Sequence, residues 1–259
     1  MKQLVILLML VSSVFSAHAW TREADHGARL FARDFLSPNA AKEYQRLTKL
    51  SKNHPREKEK PAIDERQNKV SLDADLRSTT TYEGDVVVQL EQAAEVLRNR
   101  STHSDKECIE ALRSIWSNII RLHNIALVRI EGNELSKGFD IYYHPGTMAE
   151  KDEKYNKSSK RSWATLWGKD LTLSFYGYTP QMWAEELRIC HAADKEAFSA
   201  GTIRDWAADM GKECTAQLEW ARPDMKLYVI DRTKLQPTVD RLMAKVGFRM
   251  AALLNDALK

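Results

Sequence analysis

The sequence predicts an all-α fold, and two features support this prediction. The 259 residues include only 10 glycines and few runs in which Val, Ile and Thr alternate with polar residues, so little β-sheet is expected. Apolar residues instead recur at three- and four-residue steps, as on the buried face of an amphipathic helix. We therefore expect residues 20–259 to form one compact multi-helix domain with one small β-hairpin.

The first 19 residues are typical of a secretory signal peptide. Lys2 precedes an apolar run from Leu4 to Val14, and Ala17-His18-Ala19 fits an Ala-x-Ala cleavage site. No other stretch is apolar for long enough to span a bilayer. We expect a mature protein that begins at Trp20 and is secreted or periplasmic, rather than one held by an uncleaved anchor.

Two helices are predicted at the start of the mature chain. The first runs from Trp20 to Phe35, with His26 close to its apolar face. Ser37 is suited to cap the second, and Pro38 to its first turn, where a missing N–H costs nothing. This helix is expected to end near Leu50.

Residues 51–82 differ in composition from the rest of the chain. Many charged side chains surround only three sizeable apolar groups, Ile63, Val70 and Leu72. Such a segment is predicted to be a long, charged surface excursion because it cannot bury itself. His54 within it is interpreted as a surface histidine rather than a metal ligand.

Two consecutive helices are predicted at the centre of the fold. Asp85 can cap a helix from Val86 to Arg98. The stretch from Glu107 to Arg129 is apolar around most of its helical circumference, so we expect it to be a buried central helix. Such a helix would carry any inward-pointing metal ligands, and His123 is the only candidate it offers.

The second half of the chain is predicted to combine one hairpin with three helices. Residues 139–143 alternate as a short strand does, and the charged run from Glu150 to Lys160 is expected to be a loop. The three helices have these start signals: Thr179-Pro180, Thr202 with Asp205, and Pro237.

Three cysteines are expected to enter an oxidising compartment. No Cys-x-x-Cys spacing occurs, which argues against a structural zinc site. Cys190 and Cys214 lie on consecutive predicted helices and could form a disulfide, leaving Cys108 as a buried thiol. The sequence leaves this pairing open.

Four segments, taken in order, resemble one known family. They are Trp20 with the spacing to His26 and Leu36-Ser37-Pro38-Asn39-Ala40-Ala41, then Glu110-Ala111-Leu112-Arg113, then Trp163 to Trp167, and finally Thr233 to Leu258. Together they resemble the secreted zinc nucleases of the S-one/P-one type, which are related to bacterial zinc-dependent phospholipase C. The resemblance implies an all-α fold with three zinc ions in a cleft, held by the N-terminal Trp and by His and Asp side chains. The metals would activate water for attack at phosphorus.

When the family's zinc-ligand positions are compared one by one with this sequence, few of them carry a residue that can bind zinc. Trp20 and His26 stand at or near ligand positions. The positions of the family's other matched ligands are occupied by Ser117, Arg121, Leu127, Ala164 and Gly168. A desolvated Arg121 would oppose metal binding. We therefore expect a non-catalytic binding protein, without a bound metal, that has kept the scaffold.

Three functional hypotheses follow. In the first, Arg121 and His123 mark a binding site for a nucleotide, nucleic acid or other phosphate-bearing ligand. Trp116, Trp163 and Trp167 are more simply interpreted as core residues than as stacking faces. In the second, a working zinc phosphodiesterase draws ligands from this set: Trp20, His26, His54, His103, His123, His144, Asp73 and Asp75. In the third, the monomeric protein binds another protein through the charged excursion. The formal charge of +3 gives only weak support for polyanion binding.

Overall fold

The computed structural model describes residues 20–55, 64–144, 159–172 and 178–259. Over these ranges the chain is mainly helical with a little strand, which confirms the predicted fold class at this level. The predicted signal peptide and most of the loop predicted at Glu150–Lys160 lie outside the described residues. Within them, no helix combines the length and apolar character needed to cross a membrane.

The second helix begins as predicted, and the first is two residues shorter at each end than the predicted Trp20–Phe35. Helix α1 (Arg22–Arg33) is capped by Thr21, whose side chain accepts a hydrogen bond from the Ala24 amide. Helix α2 (Pro38–Ser51) is capped by Ser37 and has Pro38 in its first turn. In both cases a side-chain oxygen satisfies one of the amide groups that a helix leaves unpaired at its start.

Part of the predicted excursion is folded into the protein. Strand β1 (Val70–Leu72) pairs in parallel with β2 (Val128–Ile130), and Val70 and Leu72 are buried. The prediction of a wholly solvated segment is therefore wrong at these residues. Composition missed the strand because its partner lies far away in the sequence and supplies both the hydrogen bonds and the apolar cover.

Helices α3 (Val86–Arg98) and α4 (Asp105–Leu122) form the centre of the fold. Asp85 caps α3 as predicted, and Ser104 with Glu107 forms a capping box at α4. The predicted central helix is too long at its C-terminal end. It stops at His123, and the Asn124 side chain then caps a 3-10 turn (Ile125–Leu127) that leads into β2.

The predicted hairpin belongs to a three-stranded sheet. Strands β3 (Asp140–His144) and β4 (Ser159–Ser162) pair antiparallel, as a hairpin requires. Strand β5 (Lys226–Tyr228) adds to the other edge of β3 in parallel. The sequence did not indicate β5, because three residues are too few to establish an alternating pattern.

The remaining helices close the fold around one hydrophobic core. Short helix α5 (Trp163–Thr165) continues into a π-helix (Leu166–Asp170). It is followed by α6 (Pro180–His191), α7 (Lys195–Ser199), α8 (Ile203–Trp220) and α9 (Val229–Ala257). The start signals of α6 and α8 are confirmed.

Helix α9 begins before its predicted start. Pro237 lies inside this helix rather than at its beginning. The Asp231 carboxylate accepts a hydrogen bond from the Tyr228 amide (3.0 Å), which fixes the earlier start. Pro237 removes one N–H from the helix, but the turns on either side continue through it. Further along, Gly247 of α9 packs directly on the ring of Phe31 of α1, and this ring occupies the space that a side chain at position 247 would need.

The three cysteines are free thiols. Cys190 is exposed and Cys214 is buried, so the disulfide considered for this pair is not formed. Cys108 is buried, as predicted.

Candidate functional site

The two residual zinc positions lie in different environments. Trp20 is only 4% exposed, and the neighbouring Thr21 hydroxyl donates to the Thr172 carbonyl oxygen (2.7 Å). His26 instead is exposed on α1, whereas it was predicted to lie close to the apolar face of this helix. In the part of the chain that the structure describes, no group of three or more His, Cys, Asp or Glu side chains could hold a metal ion. The loss of the zinc cluster stays a prediction.

The tryptophans near the later ligand positions belong to the core. Trp163 and Trp167 are 1% and 2% exposed, and Trp163 stacks on Phe139 with ring centroids 4.9 Å apart. Trp116 is half-buried, with the Arg29 guanidinium 4.9 Å from its ring centroid. Core packing, the simpler interpretation, is therefore confirmed for Trp163 and Trp167.

His123 is enclosed in the protein interior. Its Nδ1 lies 2.7 Å from the Ile119 carbonyl oxygen and must donate the proton, because a carbonyl can only accept. Its Nε2 then accepts from Arg249 Nη1 at 2.8 Å. Burial, and after it the charge of Arg249, lower the pKa of His123 well below 6.5. Both ring nitrogens of this neutral histidine are thus hydrogen-bonded to protein groups.

Arg249 connects His123 to a network in which two buried cations meet two partly buried carboxylates, and which was not predicted from the sequence. Arg249 Nη2 donates to Asp209 Oδ2 (2.6 Å), and Lys245 Nζ bridges Asp209 (2.8 Å) and Glu213 (3.0 Å). Burial raises the pKa of Asp209, but Lys245 and Arg249 outweigh it and hold that pKa below its usual value. The signal was present in the sequence: carboxylates four residues apart on α8 face cations four residues apart on α9. The network binds helices to each other and has a structural role.

A second group of charges, formed by Lys69, Arg121 and Arg129, contains only cations, and we call it the cation cluster. Ser71 on β1 is paired with Arg129 on β2. Lys69 immediately precedes β1, and its carbonyl oxygen accepts a hydrogen bond from the Val86 amide (2.9 Å), so it lies at the start of the strand that pairs with β2. Arg121 approaches from the last turn of α4.

The positive charges of both arginines act on Lys69. Burial, followed by the positive charges of Arg129 and Arg121, lowers the pKa of Lys69 from 10.5 to about 8. Burial also lowers the pKa of Arg129. Both pKa shifts mean that the folded protein, without a bound anion, destabilises the charged forms of Lys69 and Arg129.

The hydrogen bonds of the cation cluster leave donors to spare. Arg129 Nη1 donates to the carbonyl oxygens of Ala126 (3.0 Å), Val128 (3.0 Å) and Ser136 (2.6 Å). Over the described ranges, no hydrogen bond is formed by Arg129 Nε, Arg129 Nη2 or the Lys69 ammonium, and neither residue forms an ion pair with a carboxylate. The negative charge of Glu65 acts on Arg129 but is outweighed by burial, which lowers the pKa of Arg129. Arg121 is 7% exposed and donates through Nη1 to Asn118 (3.2 Å). The cation cluster therefore offers an anion both positive charge and hydrogen-bond donors.

Comparison with known proteins leaves the family open. No family model and no curated protein matches this chain. The resemblance to the S-one/P-one nucleases rests on the residues named above.

A groove of about 390 Å³ lies between α1, α2 and α6, with Tyr44 in its lining. Its charges differ from those of the cation cluster. Arg188 pairs with both Asp34 and Glu185, so much of the charge in the groove is neutralised within the protein. The groove therefore gives less indication of a ligand than the cation cluster does.

Proposed function

We propose that this protein is a secreted or periplasmic, non-catalytic binding protein with a zinc-nuclease type of fold. We further propose that it binds a compact dianion, such as the phosphate group of a larger ligand, at the cation cluster. The observation that carries this proposal is that Lys69 and Arg129 are both half-buried and that, among the described residues, neither of these two forms an ion pair with a carboxylate.

A bound anion would compensate for the free-energy cost of desolvating Lys69 and Arg129. A desolvated charge is costly unless it is paired and hydrogen-bonded. Lys69 offers a point charge, while Arg129 offers two nitrogens that have no protein acceptor in the described ranges. A tetrahedral dianion can accept from all of them through charge-assisted hydrogen bonds.

The non-catalytic part of the proposal rests on residue chemistry. Ser117 and Leu127 are poor zinc ligands, and Ala164 and Gly168 have no side-chain donor atoms. Arg121 would add a positive charge next to any cation bound in the same cleft. These substitutions favour an anion where the family resemblance would place metal.

Sulfate binding measured by isothermal titration calorimetry tests the anion site. We expect Lys69→Met to weaken sulfate binding at least tenfold, since one charge-assisted hydrogen bond contributes about 1.5 kcal/mol or more. The matched control is Lys212→Met, which removes an exposed lysine of α8 and should leave the affinity unchanged. Equal affinities for the two variants would refute the proposed site.

Metal content tests the non-catalytic part separately. Protein with an authentic Trp20 terminus, purified without chelator, is expected to contain less than one zinc ion per chain by elemental mass spectrometry. Two or more zinc ions per chain, together with EDTA-sensitive cleavage of single-stranded nucleic acid, would reinstate the zinc phosphodiesterase.

A further inference from the structure

The groove between α1, α2 and α6 differs from the cation cluster in its balance of charge. Its lining includes two cations and two anions: Arg33, Arg188, Asp34 and Glu185. Tyr44 adds no charge, because burial raises the pKa of its phenol above the ordinary value of 10. The groove therefore suits a ligand without net charge, unlike the dianion proposed for the cation cluster.

The four charged residues lie at one end of the groove. Helices α1 and α6 run side by side in the same direction: Gly27 lies against Pro180 near the start of α6. Further along both helices, Asp34 pairs with Arg188. Gln181, at the opposite end of the lining, precedes Arg188 by seven residues, or about 10 Å of helix. Positive and negative groups of a ligand must therefore meet the protein at the same end.

The groups at this end can still accept partners of either sign. Arg188 pairs with Asp34 Oδ2 and with Glu185 Oε2, and the side chains of these two acids are 42% and 54% exposed. Each carboxylate uses one oxygen in these pairs, so its other oxygen can accept from a ligand. Arg33 takes no part in these pairs and forms no other ion pair among the described residues.

The rest of the groove suits a small apolar group. Its lining is mainly apolar, with two amide side chains, and consists of Leu30, Leu36, Ala41, Tyr44, Gln45, Gln181 and Ala184. The volume of about 390 Å³ lies at the small end of the range for ligand sites, about 300–1,000 Å³.

We propose that this groove binds a free α-amino acid with an apolar side chain. The carboxylate pairs with Arg33, the ammonium group lies between Asp34 and Glu185, and the side chain extends toward Leu30. Both charges of an amino acid are on one carbon, so they can meet the charged end together. A peptide separates its terminal charges by about 3.5 Å per residue and would place one of them away from this end. The inference does not depend on the proposed anion site, which other elements form.

Isothermal titration calorimetry with four small molecules tests which groups are recognised. L-leucine is compared with leucinamide, which lacks the carboxylate, with N-acetyl-L-leucine, which lacks the ammonium group, and with glycine, which lacks the side chain. We expect each of the other three to bind at least tenfold more weakly than L-leucine, because each loses one contact with the groove. Equal affinities for the four would overturn the proposal.

Two arginine variants locate the binding site. Arg33→Met should weaken L-leucine binding at least tenfold, whereas Arg22→Met, which removes an exposed arginine from the same helix, should leave it unchanged. Arg33→Met should also keep the sulfate affinity of the wild type, which shows that the variant is folded and that the two sites are separate.

The proposal and the anion site can fail independently. Absence of saturable L-leucine binding, or an equal loss in the two arginine variants, would overturn the groove proposal and leave sulfate binding untouched. Competition between sulfate and L-leucine would place the amino acid at the cation cluster and would overturn the groove proposal as well.

Discussion

The pH dependence of sulfate binding gives the sharpest quantitative prediction of the cation cluster. Lys69 has a pKa of about 8 in the free protein, and a bound dianion stabilises its ammonium form. Below pH 8 the site is already protonated and binding is strong. Above it, each binding event must first take up a proton, so the affinity falls as the pH rises.

The size of this effect follows from the pKa of Lys69. Between pH 7 and pH 9 the protonated fraction of Lys69 falls about tenfold, so the sulfate dissociation constant should rise about tenfold, or roughly 1.4 kcal/mol. Sulfate is the appropriate probe because it stays a dianion over this range, whereas phosphate titrates near neutrality and would add its own pH dependence.

The assay is calorimetry at constant ionic strength, with Lys69→Arg as the matched control. The guanidinium of that variant stays charged throughout the range, so its sulfate affinity should not change between pH 7 and pH 9. A wild-type affinity that is independent of pH, or the same slope in the arginine variant, would refute the assignment of Lys69 as the titrating ligand group.

Three further predictions concern stability. The folded-state pKa of His123 is lowered, so the free energy of unfolding in urea should fall by about 1.4 kcal/mol from pH 7.5 to pH 5.5, because the unfolded histidine takes up a proton over this range. His123→Gln, whose amide oxygen can still accept from Arg249, should lack this pH dependence of stability. An unchanged pH dependence in the variant would contradict a neutral His123. Lys245→Met removes the cation that Asp209 and Glu213 share, although these carboxylates keep Arg249 and Arg241 as partners, and should cost about 2 kcal/mol in urea unfolding. Lys234→Met, at an exposed ion pair, should change stability by less than about 0.5 kcal/mol. Similar losses for both variants would argue against a stabilising role of the Lys245 network. Gly247→Ala places a methyl group on the Phe31 ring and should destabilise the protein by about 1–3 kcal/mol, and a thermal midpoint equal to that of wild type would show that α1 and α9 can move apart freely.

Local chemistry made the helix starts predictable. Ser37, Asp85 and Thr202 each cap the helix that follows them, because a cap requires only a side-chain oxygen and the next few amides. The end of α4 was harder to predict. The apolar pattern continues past His123, but there it belongs to a 3-10 turn and a strand rather than to further helix.

The cation cluster could be predicted only in part for a related reason. Arg121 was recognised from its place on the central helix. Lys69 and Arg129 were missed because the parallel pairing of β1 with β2 brings them together, and three-residue strands leave almost no periodic signal. His123, predicted to bind a ligand with Arg121, instead faces Arg249, a contact that depends on how α4 packs against α9.

The most direct test of an anion site in this fold is anomalous X-ray diffraction from crystals of the protein soaked in selenate, an analogue of sulfate. We expect a selenium peak within hydrogen-bonding distance of Lys69 Nζ and of the Arg129 guanidinium. Selenium peaks found only elsewhere on the protein would contradict it.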